Sequence, residues 1–116
     1  MVWSLDKSAN CLDAFVGCSK FAVNVLAEDQ SDLSRVFATK EARPWGKLEH
    51  TPAPETGAPL FPGCCAYLEC ALETTHPGGD HILFIGRVLR LEPAAAGRPL
   101  LHFGGAYRRL DEDRVD

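Results

Sequence analysis

Three places in the sequence combine residue types that can bind or move charge. In the first, Asp6-Lys7-Ser8-Ala9-Asn10, a lysine ammonium, a hydroxyl and an amide share one short polar run just ahead of an apolar helical pattern. Such a run has the parts of an anion site, because the start of a helix also offers unpaired backbone N–H groups to a phosphate. The plainer alternative is that Ser8 or Asn10 caps the helix while Lys7 is a solvated charge, and the loop taken alone favours it. The second place is Gly79-Asp80-His81, which puts an imidazole, a group that titrates near neutrality, where a turn becomes a strand. The third is the set Cys64, Cys65, Cys70, His76 and His81, close in sequence but scattered by strand geometry over two faces. With Cys11 and Cys18 the cysteines number 5, none in Cys-x-x-Cys spacing. They read as reduced, buried thiols, and no metal site is expected.

These residues must be held by elements that the hydrophobic pattern outlines. From Cys64 to Glu92 the chain reads as a long β-hairpin: Ala66, Leu68, Cys70 and Leu72 alternate with Tyr67, Glu69, Ala71 and Glu73, and Ile82 to Leu91 is rich in β-branched and aromatic residues. Pro77-Gly78-Gly79-Asp80 forms its turn, and Gly86 marks a bulge or a close approach by another backbone or a flat ligand. Met1 to Leu5 reads as a strand. Leu12, Phe15 and Val16 are spaced for a short helix closed by Gly17. Phe21 to Leu26 is a compact apolar strand interrupted by Asn24, whose amide needs partners or a ligand if buried. A second helix, about Gln30 to Ala38, follows an expected Asp29 cap and presents Leu33, Val36 and Phe37. Thr39 to Pro62 is a long irregular connection in which Trp45 is a lid or an anchor and His50 is solvated. Pro99 to Phe103 starts a further strand, and Gly104-Gly105 before Tyr107 permits a bulge or close approach.

At 116 residues the chain is one domain, here residues 1–110, followed by a fraying acidic tail, 111–116. A hydrophobic fraction of 46% and a charged fraction of 24% are ordinary for a globular protein. The net charge of -4 argues against nucleic acid as a partner. The sequence has neither a membrane-length apolar run nor a signal-peptide pattern, so a cytoplasmic location is expected and a membrane association is not.

The ordered motifs Ser4-Leu5-Asp6-Lys7-Ser8, Phe21-Ala22-Val23-Asn24-Val25-Leu26-Ala27, Phe61-Pro62-Gly63-Cys64 into Leu68-Glu69-Cys70, Gly79-Asp80-His81 with Gly86-Arg87-Val88, and Pro99-Leu100-Leu101 with Tyr107-Arg108 resemble the flavin reductase-like domain family. The resemblance covers nearly the whole chain. It implies a mainly β fold with short helices, the split β-barrel, usually assembled as a homodimer. It further implies reduction of FMN or FAD by NADH or NADPH, with the reduced flavin passed in some systems to a monooxygenase. By resemblance, Asp6, Lys7, Ser8 and Asn10 help hold the flavin phosphate, Asn24 and Ala27 lie on the strand beside the flavin, and Glu28, Asp29 and Gln30 follow near it. Tyr107 edges the site or packs elsewhere. His81 faces the flavin and nicotinamide, either as the positioning donor for hydride transfer or only as a turn cap.

Members of the family usually carry early barrel strands and a Thr/Ser-rich stretch ahead of the position matched by Met1, so the expectation is a split barrel lacking the N-terminal strands. Two functions of different class follow. One is an NAD(P)H-dependent flavin reductase or FMN-binding oxidoreductase. The other is a non-catalytic dimeric split-barrel remnant that serves as a binding or structural module.

Overall fold

The computed structural model describes residues 1–39, 45–93 and 97–111, Trp45 by its backbone alone. Along the chain run β1 (Val2–Asp6), α1 (Leu12–Val16), β2 (Lys20–Val25), α2 (Ser31–Ala38), a 3₁₀ turn (Trp45–Lys47), β3 (Thr51–Pro52), β4 (Pro59–Leu60), β5 (Ala66–Gly78), β6 (His81–Pro93), β7 (Leu101–Phe103) and β8 (Ala106–Arg108). The expected side-chain role of Trp45 and the tail beyond Asp111 lie outside the described residues.

The β5–β6 hairpin is the spine, and it is tighter than its sequence suggests. Pro77 pairs with Ile82 and Gly78 with His81, so the turn is Gly79-Asp80 alone rather than Pro77 to Asp80. Gly79 has φ 67°, and a positive φ at the first central position of a two-residue turn is where glycine is required. β1 and β2 add antiparallel to the two outer edges, giving the order β1-β6-β5-β2. The register breaks between Glu69 and Cys70 and again between Leu72 and Thr74. Each break is a bulge that bends the pair and helps the sheet curl.

Curling brings side chains of the two edge strands together on the concave face. Trp3 stacks on Phe84 at 4.4 Å between centroids and meets Phe21 and Phe15 edge-on at 5.8 and 5.0 Å. Phe84 and Cys70 are fully buried here. Gly86 explains itself on this face: a Cβ would lie 2.5 Å from Phe21 Cζ and 3.1 Å from Cys70 Cβ. The close approach expected at Gly86 is therefore made by the Phe21 ring, not by a ligand.

The opposite face departs from the alternation rule. Glu69, placed by periodicity on a polar side, is fully buried, because residues 53–64 fold back over that face. Glu69 Oε1 accepts from the N–H groups of Glu55 and Thr56 at 2.9 and 2.8 Å and from the Thr56 hydroxyl at 2.9 Å. Its cross-strand neighbour Arg90 reaches Oε2 at 3.4 Å and also bonds Glu92. Further along, the Tyr67 hydroxyl donates to the Phe61 carbonyl at 2.5 Å and accepts from the Cys64 N–H at 3.3 Å. A stretch with almost no ladder of its own is thus satisfied by side chains rising from the sheet.

Burial pushes the Glu69 carboxyl up, but the bonds from Thr56 and Glu55 and the Arg90 charge outweigh it and hold it below the ordinary glutamate range. The carboxylate therefore stabilises the fold fully above its unfolded value of about 4.3, and that contribution is lost as pH falls through the lower folded value. Replacing Glu69 by Ala strands buried N–H donors and is expected to cost about 3 kcal/mol, while Glu69→Gln, which keeps an acceptor, costs less. Urea unfolding at pH 7 measures both. Repeating it near pH 3 should shrink the gap between wild type and Glu69→Gln, and a gap independent of pH would contradict the assignment.

Candidate functional site

Two groups of the residues singled out by sequence are brought together, in two regions. The first forms where β1 ends beside the hairpin turn. Asp6 pairs with His81 across the β1–β6 ladder, and the Lys7 N–H donates to the Asp80 carbonyl at 2.8 Å. Asp6 Oδ1 accepts from the Ser8 N–H and the Ser8 hydroxyl, both at 2.7 Å, and the Asp6 carbonyl accepts from the Ala9 N–H at 3.0 Å. The two Ser8 bonds hold the Asp6 carboxyl below the usual carboxylate range. His81 Nδ1 lies 2.8 Å from Asp80 Oδ1, and this bond keeps the Asp80 carboxyl low as well.

This turn differs from both readings of its sequence. Ser8 and Asn10 do not cap α1: the N-cap position is Cys11, with no side-chain cap bond, and α1 has only 5 residues. The expected cradle of free N–H groups is also largely used up, since those of Lys7, Ser8 and Ala9 are bonded within the turn or to the hairpin. What this turn offers an anion is the charge of exposed Lys7 and the amide of exposed Asn10, and His81 across the ladder is half-buried.

The second region lies where β2 runs into α2. Asn24 donates to the Pro59 carbonyl at 3.2 Å and accepts from the Phe61 N–H at 2.9 Å, so its amide works like a short piece of strand pairing. Gln30, rather than Asp29, is the N-cap residue of α2. Its side chain accepts from the Ala27 N–H and donates to the Pro62 carbonyl, both at 2.8 Å. Buried Ala27 bridges to Pro99, and the Glu28 N–H donates to the Arg98 carbonyl at 2.9 Å. Glu28 Oε2 is buried and has no hydrogen-bond partner among the described residues. Tyr107 docks β8 on α2, its hydroxyl donating to Ser34 Oγ at 2.8 Å and its ring lying 4.9 Å below the Arg35 guanidinium carbon.

Between the two regions, α1, β2 and α2 enclose an apolar cleft of about 460 Å³ lined in part by Cys11, Phe15, Phe21, Asn24, Phe37 and Phe61. Cys11 directly follows the polar turn, and Asn24 starts the second region, so the cleft joins them. Sequence periodicity did not reveal it because Phe61 lies in the irregular segment. The signal available was an aromatic residue between Pro59 and Pro62. Among the described residues no helix is long and apolar enough to cross a membrane, and all 5 cysteines are free.

The sequence profile of the family described as "Flavin reductase like domain" matches residues 1–111. NADH-dependent FMN reductase AsuE2 of Streptomyces nodosus subsp. asukaensis is 41% identical over 114 residues, covering 94% of this chain and 61% of that protein. HsaB, the reductase subunit of a flavin-dependent monooxygenase in Mycobacterium tuberculosis, is 34% identical over 111 residues, covering 94% of this chain and 59% of its own length. The chain thus spans about three fifths of these curated relatives. Among solved structures, the Streptomyces globisporus NADH:FAD oxidoreductase SgcE6, in complex with NAD and FAD fragments, superposes with a TM-score of 0.91 at 32% identity, covering 98% of this chain and 69% of that one. The curled half-barrel described above is the sheet these split barrels share.

The doubly bonded Asn24 amide leads to a prediction. Asn24→Ala should destabilise the fold by about 1–3 kcal/mol by orphaning the Phe61 N–H and Pro59 carbonyl, and amide exchange at Phe61 should accelerate. Unchanged exchange there would show that the clamp does not hold in solution.

Proposed function

The chain belongs to the flavin reductase-like domain family, and from that premise we propose that it reduces a flavin with NADH or NADPH, as the reductase side of a two-component system. The observation that carries this reading is the Asp6–His81 register, which with the Lys7–Asp80 backbone bond sets Lys7 beside the turn that holds His81. Residues present there fit the chemistry of the groups involved. Lys7 and Asn10 offer a cation and an amide donor to a phosphate. Glu28 Oε2, buried and without a partner among the described residues, suits a ligand N–H or hydroxyl. A bound FMN or FAD supplies the hydride acceptor, and the protein need add no covalent catalyst, since its part is to align two rings and exclude water. His81 serves as the positioning residue beside the nicotinamide. The relatives' names supply the finer terms: FMN and FAD as acceptors, NADH as donor, and a monooxygenase as consumer of reduced flavin. A cytoplasmic location accords with five unpaired thiols.

Purified protein given FMN should oxidise NADH or NADPH, and His81→Ala should raise the KM for the nicotinamide about tenfold, the scale of one lost hydrogen bond to a polar ligand. Absence of both flavin binding and flavin-dependent turnover in the wild type would favour a non-catalytic binding module instead.

We further infer a homodimer. Val88, Leu89 and Leu91 are exposed along β6. These apolar side chains offer a surface that a second copy can cover. Light scattering should give twice the 12.7 kDa chain mass, and Leu91→Lys should shift the species toward monomer. A wild type that stays monomeric at tens of micromolar would refute it.

A further inference from the structure

Asp80 contributes nothing to the anion-binding rim, and its place in a tight turn would ordinarily account for it. Its geometry asks more. The 2.8 Å contact joins Asp80 Oδ1 to His81 Nδ1, and Asp80 is fixed from a second direction by the Lys7 N–H on its carbonyl. An ionised carboxylate can only accept, so Nδ1 must carry the proton in this bond. Nε2 is then the ring nitrogen left to face a ligand. Asp6 is also close: one oxygen from each carboxylate and one imidazole nitrogen all lie within 4.8 Å of one another. Asp6 Oδ1 is engaged by the N–H and hydroxyl of Ser8, and the bond to Nδ1 is made by Asp80.

We propose that Asp80 is a positioning residue for the reaction: it fixes the tautomer and ring plane of His81, so that Nε2 is the nitrogen presented to the nicotinamide carboxamide. In the neutral ring Nε2 is an acceptor, matched to the carboxamide N–H₂, and the orientation is set before the nucleotide arrives. This rests on the reading of His81 as the residue beside the nicotinamide. A plain turn role for Asp80 makes a different claim, since glycine or asparagine would serve it as well as aspartate.

Two measurements separate these. Long-range ¹H–¹⁵N spectra of the imidazole, recorded above its titration and assigned with His81→Gln, should show His81 protonated on Nδ1 in the wild type. Asp80→Gly keeps a turn-forming residue but removes the acceptor, and should move the ring toward the Nε2–H tautomer and raise the KM for NADH about fivefold with little change in kcat. Asp80→Asn retains Oδ1 and should restore both the Nδ1–H tautomer and most of the affinity. An unchanged tautomer in Asp80→Gly overturns the proposal, and so does an altered tautomer with an unchanged KM. If the wild type turns over no flavin, the function proposed above fails instead, and the spectra alone decide whether Asp80 fixes the ring.

Discussion

The structure depends on a buried negative charge. Glu69 lies at the middle of the sheet, on the face where residues 53–64 return, and two backbone N–H groups and a hydroxyl converge on one of its oxygens. A carboxylate in such a place is costly unless its bonds are complete. Here they are completed by the segment that needs anchoring, so the desolvation of Glu69 and the ordering of that segment are one event. With the 53–56 turn fixed, Pro59, Phe61 and Pro62 come within reach of Asn24, Tyr67 and Gln30. The wall of the apolar cleft that includes Phe61 follows from these contacts.

The other end of the molecule is governed by backbone geometry. A two-residue turn starting with Gly79 fixes the register of β5 on β6, and β1 continues that register so that Asp6 lies opposite His81. A slip of one residue would turn His81 to the other face of the sheet. The place of His81 on the rim therefore relies on glycine at one position and on the Trp3–Phe84 stack, which ties β1 to β6 three residues from the Asp6–His81 pair.

Much of this was legible in the sequence. Alternation located the hairpin, i, i+3, i+4 spacing found both helices, and the family motifs led to the barrel class and to His81. What escaped has a common cause. Periodicity tells which residues share a face of a strand but not what covers that face, so Glu69 read as exposed until residues 53–64 were seen over it. Asn24 read as an interrupting amide that needs partners or a ligand, and Gln30 came only from the family resemblance. The pattern cannot reveal that those partners are carbonyls and N–H groups some 30 residues further on. Gly86 belongs to the same class: it implied a close approach, and only the curl of the sheet identifies Phe21 as what approaches.

Carboxylates next to the rim proposed for an anion run against that proposal, since Asp6 and Asp80 oppose the charge of Lys7. Their bonding resolves this. Asp6 directs its charge into the Ser8 N–H and hydroxyl, and Asp80 directs its charge into the His81 ring. Each carboxylate is thereby committed to shaping a neighbour, one the turn that carries Lys7 and Asn10, the other the imidazole. Lys7 and Asn10 are left as the polar groups of the turn that face solvent without an internal task. Division of labour between residues that shape the rim and residues left facing solvent reconciles the acidic groups there with the nucleotide site proposed for it.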